Sequence, residues 1–178
     1  MEPTQGEIKV TNSILNQFLK GITGKQAPIM EDGHYLRRSL AKLWTVEPGD
    51  IIQKMREGCQ YIKSKNGRLI IESDDSWYET IIHRPIAWNN IKQGKRSQCG
   101  ISEWGNINEI VLWAFITQTT IIVTNKSKAT YTVCNPNIRE IPLSYPVVSI
   151  QQTHKEYTLK GREPVYLLYD GSHYNPIE

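Results

Sequence analysis

Two short segments, one in the first third of the chain and one close to its last residue, constrain the fold more than any other feature. The first reads Asp32-Gly33-His34-Tyr35-Leu36-Arg37-Arg38-Ser39-Leu40, and the second Tyr166-Leu167-Leu168-Tyr169-Asp170-Gly171-Ser172-His173-Tyr174-Asn175. The first is a glycine turn that runs directly into a helix-spaced apolar pattern. The second is an aromatic and aliphatic run that ends in an Asp-Gly turn carrying a histidine. A fold that brought the two together would set position 35 beside the histidine at 173. Gly33 frees the backbone to aim several N–H groups at one point, and the helix start adds partial positive charge there. At the head of that helix, where such a turn would present a nucleophile, the chain has the phenol of Tyr35.

The rest of the pattern supplies the scaffold. Apolar residues recur at helical spacing over 8–19 (Ile14, Leu15, Phe18, Leu19), and the glycines at 21 and 24 end that run. A second helix is expected over 36–44 from Leu36, Leu40, Leu43 and Trp44, with Pro48-Gly49 as its stop. A third is expected over 50–64, with Ile51, Ile52, Met55, Cys59 and Ile62 on one face. Residues 66–67 form a turn, 81–88 suit either state, and the polar stretch 92–100 reads as a loop. Residues 107–117 are apolar all round, which predicts a buried helix. Strands are expected over 119–124, 129–134 and 165–169. Helices first and strands later describe an α+β fold, a small central β-sheet between helical layers. With no repeat, low-complexity tract or linker, residues 1–178 are expected to form one domain.

Composition removes several classes of function. A chain of 178 residues can bury roughly 70% of its unfolded surface. Its net charge of +3 is too small to argue for nucleic acid, so a nucleic-acid partner is not expected. The first thirty residues are polar, and the longest apolar run, 110–116, is far short of the roughly 20 residues that span a bilayer. No membrane association is expected, and an intracellular, cytoplasmic protein is the default. Cys59, Cys99 and Cys134 are odd in number and lack paired spacing, and the four histidines are scattered. Neither a disulfide framework, a metal site nor a cofactor is expected. Cys59 and Cys134 lie in apolar patterns and read as small buried hydrophobes.

The segment Asp32–Leu40 resembles the Asp-Gly-x-Cys-Leu-Phe-Arg-Ser/Ala-Ile nucleophile motif of the ovarian-tumour (OTU) family of deubiquitinating cysteine proteases. The segment 166–175 resembles the strand and turn that carry that family's catalytic histidine. Between them, Ser102-Glu103-Trp104-Gly105-Asn106-Ile107-Asn108-Glu109 looks like the family's Trp-Gly followed by a helix with a glutamate near its start. The next segment, Thr119-Thr120-Ile121-Ile122-Val123, is similar to the strand that follows it. The four motifs fall in the family's order and cover residues 32 to 177. The resemblance implies an OTU-like cysteine-protease fold with His173 at the base position and Asn175 where members carry the residue that orients the imidazole. It also places Asp32 at the aspartate of the nucleophile motif. The departures are Tyr35 at the cysteine position and Arg37 where an aromatic residue is usual.

Tyrosine does not substitute for cysteine. Its pKa is about 10 against about 8.5 for a thiol, and its oxygen stands several ångströms further from the backbone. The set Asp32, Tyr35, His173 and Asn175 is therefore expected to be a degenerate site, and the chain a catalytically inactive pseudoenzyme. Its expected role is to bind a protein, with ubiquitin or a ubiquitin-like modifier the partner that the resemblance implies, or to act as a scaffold. Two alternatives remain open. Cys99, just before Trp104, could supply a displaced nucleophile in a working deubiquitinase, which labelling by an electrophilic ubiquitin probe would reveal. The chain could instead be an adaptor with no ubiquitin contact, for which Lys92, Lys95 and Arg96 offer a basic loop and salt-sensitive RNA or DNA binding is the test. Arg37, an added charge beside the former site, is expected to close that site or to meet an acidic partner.

Overall fold

A computed structural model describes residues 4–23, 26, 29, 35–65 and 106–178. In chain order these form helices α1 (Gln5–Thr23), α2 (Tyr35–Trp44), α3 (Pro48–Ser64) and α4 (Ile107–Thr117). Strands β1 (Ile121–Asn125), β2 (Thr130–Cys134) and β3 (Leu143–Pro146) follow, then a 3-10 turn (Val147–Ser149) and helix α5 (Ile150–Leu159). Strands β4 (Val165–Tyr169) and β5 (Tyr174–Pro176) complete the order. The fold is mixed α+β, with a five-stranded sheet in the order β3-β2-β1-β4-β5. Strands β1 and β4 pair in parallel, and every other pairing is antiparallel.

The central strands show why the sheet lies between two layers. Successive side chains of a strand point to opposite faces, and in β1 both faces are buried. Ile121 and Val123 join Leu167 and Cys134 against α2, α3 and α4, where Leu40, Ile51, Met55, Ile110 and Leu112 close one core. On the other face Ile122 joins Tyr131, Val133, Tyr166 and Leu168 beneath Leu15, Phe18 and Leu19 of α1 and Val147 and Ile150. A strand apolar on both faces cannot be an edge strand without exposing one of them, and β1 lies at the centre. Thr124, buried among these residues, satisfies its hydroxyl by donating to the Leu167 carbonyl at 3.0 Å.

The helices carry their own start and stop signals. Asn106 caps α4, its side-chain oxygen accepting from the Asn108 N–H at 2.9 Å while its own N–H donates to Glu109 Oε2 at 3.2 Å. That reciprocal arrangement satisfies two donors that the helix start would otherwise leave open. Gln118, in the left-handed region at φ 51, ends the helix. Pro48 opens α3 and does not merely stop α2, since proline at a first helical position gives up an N–H that has no helical partner there. Helices α3 and α4 approach closely at Gly58, where an added Cβ would lie 2.7 Å from Ile116 Cδ1. No helix among the described residues is long and apolar enough to cross a membrane. The stretches 81–88 and 92–100 lie outside the described residues.

Candidate active site

The turn between β4 and β5 is built by one carboxylate. Asp170 Oδ1 accepts from the backbone N–H of Ser172 at 3.0 Å, from the Ser172 hydroxyl at 3.2 Å and from the His173 N–H at 2.9 Å. The Asp170 N–H closes the loop by donating to the His173 carbonyl at 3.2 Å. Gly171, at φ 106, takes the conformation that a side chain would resist. Asp170 Oδ2 lies 4.0 Å from Nδ1 of His173. Desolvation alone would raise the Asp170 pKa. The N–H groups of His173 and Ser172, the Ser172 hydroxyl and the His173 charge outweigh it, and the carboxyl titrates below the usual range.

Tyr35 is the first residue of α2, and its ring stacks on the His173 imidazole with centroids 4.1 Å apart and planes inclined by 24°. The two segments that the sequence sets near opposite ends therefore meet. The Ser39 hydroxyl, one turn into α2, reinforces the junction by donating to the Tyr174 carbonyl of β5 at 3.2 Å. Beside it the Tyr174 and Tyr169 rings pack at 4.7 Å. Burial foremost, then the neighbouring Tyr169, Glu109 and Cys134, pushes the Tyr174 phenol above its ordinary range. Asn175 is half-buried in β5 and stands opposite Leu168 in the ladder. Asp32, Gly33 and His34 lie outside the described residues, as do Cys99, Trp104 and the basic positions Lys92, Lys95 and Arg96.

Arg37 corrects a sequence expectation. It neither lies across the site as a surface charge nor faces an outside partner: its side chain is 1% exposed and paired with Glu109. Nε donates to Oε1 at 2.8 Å and Nη2 to Oε2 at 3.1 Å, a two-pronged contact between a guanidinium and a carboxylate. Glu109 also accepts from the Asn106 N–H in the α4 capping box, so one buried carboxylate ties the start of α2 to the start of α4. The sequence held a trace of this in the Asn106-x-x-Glu109 capping pattern, but nothing in it names a partner 72 positions away. The other position that sequence reasoning passed over is Asp170, whose signal was the Asp-Gly-Ser-His turn itself.

Chemically the site can present an aromatic face, an imidazole and a carboxylate. The ring of Tyr35 covers one face of the His173 imidazole. Cys59 and Cys134 are buried and reduced, and burial pushes the Cys134 thiol up to about 12. Among the described residues no group of three or more His, Cys, Asp or Glu could hold a metal ion. No protein-family model matches the chain, and no curated protein matches it. Among solved structures, an ovarian tumour (OTU) domain in complex with ubiquitin is similar over 85% of this chain and 67% of that one, at 11% identity and a TM-score of 0.40.

Proposed function

We propose that the chain is a catalytically inactive OTU-like domain that binds a protein, with ubiquitin or a ubiquitin-like modifier as its ligand. One observation carries the reading: the Tyr35 ring lies flat on His173 at 4.1 Å, at the head of the helix where the OTU nucleophile motif carries its cysteine. A thiol placed there would gain from the helix N-terminus and from a nearby base. A phenol starts from a pKa of about 10 and carries its oxygen past that position, and its ring takes the space that a scissile carbonyl would need. Binding does not depend on the missing thiol, because protein recognition draws on a broad surface and one small side chain contributes little to it.

The test is a titration of isotope-labelled ubiquitin with this protein, followed through backbone amide shifts. Saturable shifts confined to one face of ubiquitin are expected, together with no labelling by an electrophilic ubiquitin probe. Absence of shifts would sink the ubiquitin reading, and probe labelling that disappears in Cys99→Ala would sink the claim of inactivity.

A further inference from the structure

A groove of about 260 Å³ opens on the far side of the sheet from the Tyr35–His173 pair, between β3 and α5. The two features lie at opposite edges of the sheet, four strand spacings apart, or roughly 19 Å. Two exposed apolar side chains of β3 lie in an otherwise largely polar lining. Leu143 and Tyr145 are 58% and 40% exposed, and the register sets them beside Val133 and Tyr131 on the same face. The Tyr145 ring tilts against Tyr131 at 5.5 Å. The wall is Tyr157 of α5, and the rim carries two carboxylates, Glu140 and Glu156.

The polar groups of this groove are arranged around Asn135. Its amide donates to Glu140 Oε1 at 2.8 Å, and its oxygen accepts from the Tyr157 hydroxyl at 3.0 Å and from Thr120 at 3.1 Å. Glu140 and the Tyr157 hydroxyl are thereby held in place. No cation lines the groove, and among the described residues neither carboxylate is in an ion pair. The strand edge beside it is closed to a simpler mode of binding. The Val147 N–H donates to the Ala129 carbonyl at 3.0 Å, which fixes the alternation of the ladder. Tyr145 and Leu143 then bond inward to β2, and the outward backbone belongs to Ser144 and to Pro146, which has no N–H to offer. An incoming strand would find one donor where it needs a row of them.

We infer that this groove binds the long cationic side chain of a partner protein, an arginine before a lysine, laid across the face of the sheet. Its methylenes would cover Leu143, its plane would rest on Tyr145, and its charge would meet Glu140 and Glu156. An apolar and an aromatic side chain beside two carboxylates match a side chain that is apolar along its stem and charged at its tip. Arginine fits better than lysine because its flat guanidinium both stacks and forks.

The probe is the capped tripeptide Ile-Arg-Val, titrated into isotope-labelled protein, with Ile-Gln-Val as the uncharged control. Shifts are expected at the amides of Leu143, Tyr145, Thr153 and Tyr157, with the glutamine peptide about tenfold weaker. The double variant Glu140→Gln, Glu156→Gln, altered only at exposed positions, is expected to lose a similar factor with its remaining spectrum unchanged. Equal binding of the two peptides, shifts elsewhere, no shifts at all, or an indifferent double variant would each overturn the inference. None of these outcomes bears on the ubiquitin titration, which reads a different molecule.

Discussion

Replacing the Tyr35 phenol with a thiol isolates what the helix start contributes at that position. In a Cys99→Ser background, Tyr35→Cys is expected to react with iodoacetamide with an apparent pKa below the ordinary thiol value of about 8.5, because the end of α2 favours the anion. Cys134, raised to about 12 by burial, should stay unreactive in the same experiment. An apparent pKa at or above the ordinary value would show that the helix start and His173 do not act on that atom. A few residues away, Arg37→Leu leaves the Glu109 carboxylate buried without its partner and should cost about 3–5 kcal/mol in urea unfolding. A cost below about 1 kcal/mol would mean that water reaches the pair. Asp170 makes a pH prediction. Its folded pKa is depressed, so its contribution to the turn is present above the unfolded aspartate value of about 3.9 and is lost as pH falls through the lower folded one. Carboxyl NMR should find that midpoint below the ordinary value, and Asp170→Asn should flatten the acid limb of stability against pH. At this scale the histidine turn could be read from sequence, since its chemistry is local. Arg37 could not, because a buried arginine differs from an exposed one only through a partner that the fold brings to it.

Among the elements, those carrying an unbroken run of buried apolar residues were visible in advance. Helix α4 is buried without a break from Glu109 to Ala114, and β4 carries three consecutive buried residues. Helix α5 gave no such signal: of Ile150–Leu159 only Ile150 is buried, so there is no apolar stripe to find. Strand β3 is exposed at all four positions and ends in proline, the reverse of what marks a strand in sequence. It exists because β2 templates it, and β5, three residues long, is templated by β4. The helix junctions offer direct tests. Asn106→Ala removes the cap of α4 and should cost about 1 kcal/mol by denaturant titration. Gly58→Leu would drive a side chain into Ile116 and Leu112, and a loss of about 1–3 kcal/mol is expected; an unchanged midpoint would mean that α3 and α4 can separate freely.

At the scale of the whole molecule, two cores share one sheet, so a defect in the central strand is felt by both layers. Ile122→Ala, buried beneath α1, should cost about 2–5 kcal/mol and unfold the protein in a single transition followed alike by tryptophan fluorescence and far-UV dichroism. Separate transitions would mean that the layers melt independently. The layered α+β plan was legible because helical and strand periods fall in separate stretches of the chain, whereas strand order depends on contacts that no local pattern contains. The hydrogen bond from Ser39 to the Tyr174 carbonyl spans 135 positions, and β1 completes its parallel edge only when β4 arrives after β2, β3 and α5. Such closures come late, because the chain gives up loop entropy before those contacts return anything. During refolding, helical dichroism should therefore recover well before the environment of Tyr35 does. The site at the head of α2 is a clock for the last step: a chain that holds Tyr35 against His173 has already finished folding.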